Sequence, residues 1–139
     1  METVQKSIRI PRQTAEAIEK IVQESGRDFS SITKDLLEES IKMRRCPGIV
    51  FTEGVKGKRA KIAGTGIEVW EVIATLKSVD GDFKRLEKAY HWLTNQQLRS
   101  ALGYYHAFRA EIENLIDRNR QWRPEKLLTQ HPFLNVGLS

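Results

Sequence analysis

The sequence predicts a mainly α-helical chain with short β elements, built in two parts. Three observations carry this expectation. Apolar residues recur at helical spacing over most of the chain. A run of alternating apolar and polar residues precedes the first helical pattern. Near its middle, "RRCPG" interrupts the periodicity with a proline and a glycine, which end a helix and allow a change of direction. At 139 residues the chain suits one ordinary domain or two small ones.

Residues 3–10 place Val4, Ile8 and Ile10 on one side and Gln5, Ser7 and Arg9 on the other, the pattern of a half-buried strand. Lys6 interrupts the apolar side, with its aliphatic stem available for burial. Pro11 cannot continue a strand ladder but fits the first turn of a helix. Ala15, Ile18, Ile21 and Val22 then follow at helical spacing, and Gly26 is a natural stop. Asp28 or Ser30 caps a second helix carrying Phe29, Ile32, Leu36, Leu37 and Ile41. A lone strand leaves its backbone groups unpaired, and so small a unit buries too little surface. Residues 1–45 are therefore expected to form an obligate homodimer, two strands pairing antiparallel over a shared helical core.

After the break, "IVFTEGVKGKRAKI" reads as a β-hairpin with strands over 49–51 and 59–62. "AGTG" supplies a tight turn before a helix over "IEVWEVIATLKS". Two short helices follow around a turn at 91–94, with Thr94 and Gln97 forming a capping box. Leu86, Ala89 and Tyr90 of the first are expected to face Leu98, Ala101, Leu102 and Tyr105 of the second. "EIENLIDRN" gives a last helix. The predicted domains are thus 1–45, 46–119 and a tail, 120–139.

The net charge of +5 is unevenly spread: residues 46–63 hold Lys56, Lys58, Arg59 and Lys61 against Glu53 alone. Such a cluster suits contact with a polyanion. No apolar run approaches the ~20 residues needed to cross a bilayer, and "METVQKSIRI" lacks the apolar core of a signal peptide. The single cysteine, Cys46, excludes an internal disulfide and fits a reducing compartment, so a cytoplasmic, nucleoid-associated location is expected. Catalysis is not expected. "AGTG" lacks the Gly-Lys-Ser/Thr of a phosphate loop, and His91, His106 and His131 form no metal-ligand pairs, so neither metal nor cofactor is called for.

The stretch "QKSIRIPRQTAEAIEKIVQESGRDFSS" resembles the ribbon-helix-helix DNA-binding family in its alternating strand, its Ile-Pro-Arg junction, "ESGR" between the helices and the serines opening helix two. The resemblance implies that paired strands enter the major groove of a palindromic operator, with Gln5, Ser7 and Arg9 reading base edges. The chemistry agrees: arginine suits guanine O6 and N7, glutamine suits adenine, and serine serves either role. It further implies phosphate contacts by Ser30 and Ser31 at the start of helix two. Arg12, Lys56, Lys58, Arg59 and Lys61 complete the candidate phosphate contacts.

Residues 48–118 resemble small helical domains of unknown function that recur in antitoxins of the VapB type. The likeness rests on "IAGTGIEVWEVI", Leu86, Tyr90, Leu93, Thr94, Gln97, Leu98, Arg99, Ala101, Leu102, Tyr104 and Tyr105. "LTNQQLRSAL" is helix-turn-helix-like, and Asn95, Gln96, Arg99 and Ser100 could lie in a groove, although a dimerisation or partner-docking role is favoured. In the tail, Arg118, Arg120, Trp122, Arg123, Leu127, Leu128 and Phe133 are the candidate contacts to a protein toxin. The expectation is a dimeric or higher-order transcriptional repressor, the antitoxin of a type II toxin–antitoxin pair. The alternative is a ribbon-helix-helix regulator without a toxin.

Overall fold

The computed structural model describes residues 2–54 and 57–120. Among them, regular structure comprises six helices and one two-stranded antiparallel hairpin. The chain divides into two compact units, Met1–Arg45 and Cys46–Ser139. No described helix is long and apolar enough to cross a membrane.

In the first unit, α1 (Arg12–Ser25) begins after Pro11, whose extended backbone turns the chain into the helix. It ends at Gly26, where φ is +72° and the N–H donates to the Val22 carbonyl at 3.0 Å. A residue with a Cβ resists that left-handed geometry, so glycine sets the helix end. Helix α2 (Phe29–Arg45) opens on Asp28, whose Oδ1 accepts from the Ser31 N–H at 2.7 Å. Of the two expected caps, Asp28 is the one that makes the bond. Lys42, Arg44 and Arg45 occupy the last turn, where cations meet the negative end of the helix dipole.

Helices α1 and α2 pack on each other, yet among the described residues of this unit only Ile18 and Ile32 are buried. The expected strand over 3–10 is not a strand of the single chain: residues 2–10 join no ladder, and every one of them is exposed. The reason is elementary. A strand is defined by the backbone it pairs with, and this unit brings no second segment alongside.

The second unit starts with the hairpin β1 (Ile49–Gly54) and β2 (Gly57–Ile62), longer than the predicted strands. Its register pairs Ile49 with Ile62, Phe51 with Ala60 and Thr52 with Arg59. Period two puts Ile49, Ala60 and Ile62 on the core side, where all three are buried, with Phe51 packed against them. The chain then turns into α3 (Val69–Ser78), capped reciprocally by Glu68 and Glu71. The Glu68 N–H donates to Glu71 Oε2 at 2.8 Å.

Helix α3 is the hub. It packs against α4 (Phe83–Ala89), α5 (Asn95–Ala107) and α6 (Arg109–Arg118), and buries Val69, Val72 and Ile73 completely or nearly so. The expected meeting of α4 and α5 residues is found in part: Leu86 shares one buried cluster with Leu98 and Ala101, against which Tyr90, Leu102 and Tyr105 pack, whereas Ala89 is exposed and α4 lies mainly on α3. Two turns of helix carry one apolar face, and α4 turns Leu86 and the adjoining Tyr90 toward α3, where the Tyr90 and Thr75 hydroxyls lie 3.3 Å apart. Leu86 reaches the same core as Leu98 and Ala101. The capping box forms as expected: the Gln97 N–H donates to Thr94 Oγ1 at 3.0 Å, and the Thr94 N–H to Gln97 Oε1 at 2.8 Å.

Candidate functional site

The N-terminal unit presents two surfaces that differ in kind. Gln5, Ser7 and Arg9 are exposed and make no side-chain hydrogen bond to any described residue. Alternating with them, Val4 is 76% exposed, Ile8 77% and Ile10 39%. Ile8 and Ile10 border an apolar groove of about 480 Å³ that runs between the helices, floored by Ile18, Ile21, Leu36 and Leu37. Leu37 is itself 55% exposed. Thr33, on the same wall, has its hydroxyl shielded from water with no hydrogen-bond partner among the described residues. Exposed aliphatic side chains lining an apolar groove cost free energy in water, and a shielded unpaired hydroxyl adds to that cost. The helical face was legible from periodicity, but the groove, with Phe29 at its edge and Thr14 and Ala17 along α1, was not.

The phosphate contacts expected at α2 meet an obstacle. Ser30 is exposed in the first turn, but the Ser31 N–H is already engaged by Asp28. That bond holds the Asp28 carboxyl below its ordinary range, so a negative charge stands where a phosphate is expected to bind. A neighbouring ion pair, Arg27 to Asp35 at 2.6 Å, adds no net charge. Arg12 is exposed on the first turn of α1.

In the second unit the basic residues do not form one wing. Lys56 lies outside the described residues. Arg59 points against Glu68 at 3.6 Å, with both side chains less than a fifth exposed. Lys61 is half-buried, and its backbone bridges to Glu68. Lys58 stands exposed on β2 and lines a recess with Arg59 and with Arg118 of α6. Residues that the sequence assigned to two different partners are thus brought to one place.

The helix-turn-helix residues are partly committed elsewhere. Ser100 donates to the Gln96 carbonyl at 3.0 Å, and its hydroxyl lies 2.7 Å from where a Cβ on Gly48 would stand. It is therefore wedged under the hairpin root and unsuited to reading a groove. Arg99 donates through Nε to Asn95 Oδ1 at 2.6 Å and lies over the Phe83 ring. Trp92, between the two helices, is 60% exposed and edge-on to Tyr90 and His91.

Further along, Tyr104 is fully buried and donates its hydroxyl proton to Glu111 Oε2 at 2.6 Å. Tyr105 donates to Glu113, which also pairs with Lys77 at 2.6 Å. The sequence marked both tyrosines but not their carboxylate partners, one helix later at spacings of seven and eight. Arg120 lies 3.5 Å from Asp117 through its Nε. Trp122, Arg123, Leu127, Leu128 and Phe133 lie outside the described residues. Comparisons with protein-family models, with curated proteins and with solved structures return no match.

Proposed function

We propose that the chain is a sequence-specific DNA-binding repressor that acts as a homodimer or higher oligomer through its N-terminal unit. The observation that carries this reading is the apolar side of residues 3–10, exposed beside an apolar groove. A second copy satisfies both needs at once. Its segment 3–10 supplies the missing ladder partner, and its helices cover Ile8, Ile10, Leu36 and Leu37. Pairing that turns Val4, Ile8 and Ile10 inward turns Gln5, Ser7 and Arg9 outward, because the side-chain period of a strand is two. A two-stranded ribbon carrying Gln, Ser and Arg matches the width and hydrogen-bond code of the major groove. The pairing of this repressor with a protein toxin, through 46–119 and the tail, belongs to the same proposal.

The test is binding to DNA from the region upstream of the gene, against random duplex, at near-physiological salt. A preference of about 10³-fold or more supports the reading, and Arg9→Ala then lowers specific binding by about 1–3 kcal/mol while sparing random duplex. Equal losses on both DNAs refute the assignment of Arg9. For the toxin, the candidate partner is co-purified with the full chain and with a truncation at Asn119; undiminished binding by the truncation removes the tail from the interaction.

A further inference from the structure

Among the described residues of the second unit, Trp92 is the one large hydrophobic side chain that stands exposed, at 60%. It is held in place there. Its ring lies edge-on to Tyr90, with centroids 5.5 Å apart, and to His91 at 5.1 Å. Tyr90 is anchored in turn by its hydroxyl, 3.3 Å from that of Thr75. An indole held in one orientation is a preorganised contact surface.

The helix that leads into this corner supplies charge. Leu86 is fully buried and marks the core side of α4. By helical spacing the opposite face carries Lys84 and Lys88 as i,i+4 neighbours, with Arg85 beside them. All three are exposed, and none of their side chains makes a hydrogen bond or ion pair with a described residue. Asp82 stands at the far end of the helix, where its carboxylate accepts from the Lys84 and Arg85 N–H groups at 3.0 and 3.3 Å. Between 83 and 100 the only carboxylate is that of the half-buried Glu87. Three unpaired cations beside a fixed indole suit a partner that brings both negative charge and flat apolar surface. Protein interfaces draw on tryptophan and arginine but are poor in lysine, and a duplex keeps its base faces inside the stack. A single strand presents phosphates and open base faces together. We infer that the α4–α5 corner binds single-stranded nucleic acid, a base stacking on Trp92 and the phosphates meeting Lys84, Arg85 and Lys88. This inference is independent of the duplex-reading role proposed for residues 3–10.

Fluorescence anisotropy of labelled oligothymidylate and oligouridylate with the full chain tests it, with polyglutamate of matched charge as competitor. The expected result is saturable binding of a single strand that polyglutamate displaces poorly, with quenching of tryptophan emission. The tighter of the two strands identifies the source as DNA or RNA. Trp92→Ala weakens binding by about five- to 150-fold, the worth of one stacked base, and removes the quenching. Trp92→Phe, which keeps a smaller ring, loses less. Lys84→Ala and Lys88→Ala together lower the slope of log affinity against log salt by about 0.7 for each lost phosphate contact. Arg118→Ala on α6 leaves affinity and slope unchanged, and circular dichroism confirms that each variant is folded. Trp92→Ala also leaves the preference for operator over random duplex unchanged, so failure here is separable from failure of that reading. Absence of single-strand binding overturns the inference. So does binding that Trp92→Ala leaves intact, which would place the strand elsewhere on the chain. Displacement by polyglutamate as effective as by unlabelled strand overturns it too, and would make the corner a docking surface for an acidic protein.

Discussion

The dimer reading is most sharply exposed at Ile8. This side chain is 77% exposed in the single chain and lies at the mouth of the apolar groove. Fully burying an isoleucine is worth about 1.5–3 kcal/mol, so covering the exposed fraction of Ile8 contributes about 1–2 kcal/mol. In a two-fold symmetric interface each substitution counts twice, which makes Ile8→Ser cost about 2–4 kcal/mol per dimer, or about 30- to 800-fold in dimer dissociation constant. Sedimentation equilibrium across a wide concentration range measures that constant directly. Because Ile8 contributes nothing to the buried core of either unit, the cost must appear in association, with no change in the unfolding of the Cys46–Ser139 unit. An unchanged dissociation constant, or a parent protein that is monomeric and equally stable at every concentration, would refute the reasoning.

Other positions test the second unit. Gly48 has φ of +92°, and a Cβ there stands 2.7 Å from Ser100 Oγ. Gly48→Ala is expected to destabilise by about 1–3 kcal/mol, combining the left-handed backbone cost with overpacking. Urea unfolding measures the loss. Adding Ser100→Ala recovers the overpacking part alone; a double variant with no recovery would assign the whole cost to the backbone. Burial raises the Glu71 carboxyl above its ordinary 4.5. Between that value and its raised folded value the native state holds the extra proton, so stability falls as pH rises through the window. Glu71→Gln keeps an acceptor for the Glu68 N–H and is expected to flatten that decline; stability curves against pH that run parallel in the two proteins would contradict it.

The sequence carried most of the second unit, and the reason is local. Its caps and periodicities report on bonds made within a few residues: Thr94 with Gln97, the alternation that buries Ile49 and Ile62, and the apolar residues of α3. What it could not carry was set by contacts distant along the chain. Arg59 read as a phosphate contact, with nothing in its surroundings to mark Glu68 as its partner until the β2–α3 turn brings them together. Ser100 read as an exposed residue that could lie in a groove, until Gly48 packs against it. The recess joining Lys58 to Arg118 has no sequence signal, because sixty residues separate its walls. In the first unit the limit was of another kind. The pattern of 3–10 states which side should be buried, but no described part of the same chain covers it.

The two units close their cores differently, and under the proposed dimer Asp28 would bear directly on DNA affinity. Among the described residues, twelve buried side chains form one cluster in the second unit, whereas the first buries Ile18 and Ile32 alone. If a second copy sets the ribbon in the major groove as proposed, the first turn of α2 is the segment expected near the backbone, where free N–H groups attract phosphate. Here the turn carries the Asp28 carboxylate, held ionised by the Ser31 N–H. The negative charge opposes phosphate on every sequence alike, so it lowers non-specific affinity without touching base readout. Discrimination then rests on Gln5, Ser7 and Arg9 to a greater degree than in a protein with an open helix end. Asp28→Asn keeps the cap acceptor, since asparagine caps as well as aspartate, but removes the charge. It is expected to strengthen operator and random duplex by the same factor, leaving their ratio unchanged, as measured by fluorescence anisotropy at two salt concentrations. If neither affinity moves, the start of α2 does not face the DNA backbone, and the ribbon must meet its groove in another orientation.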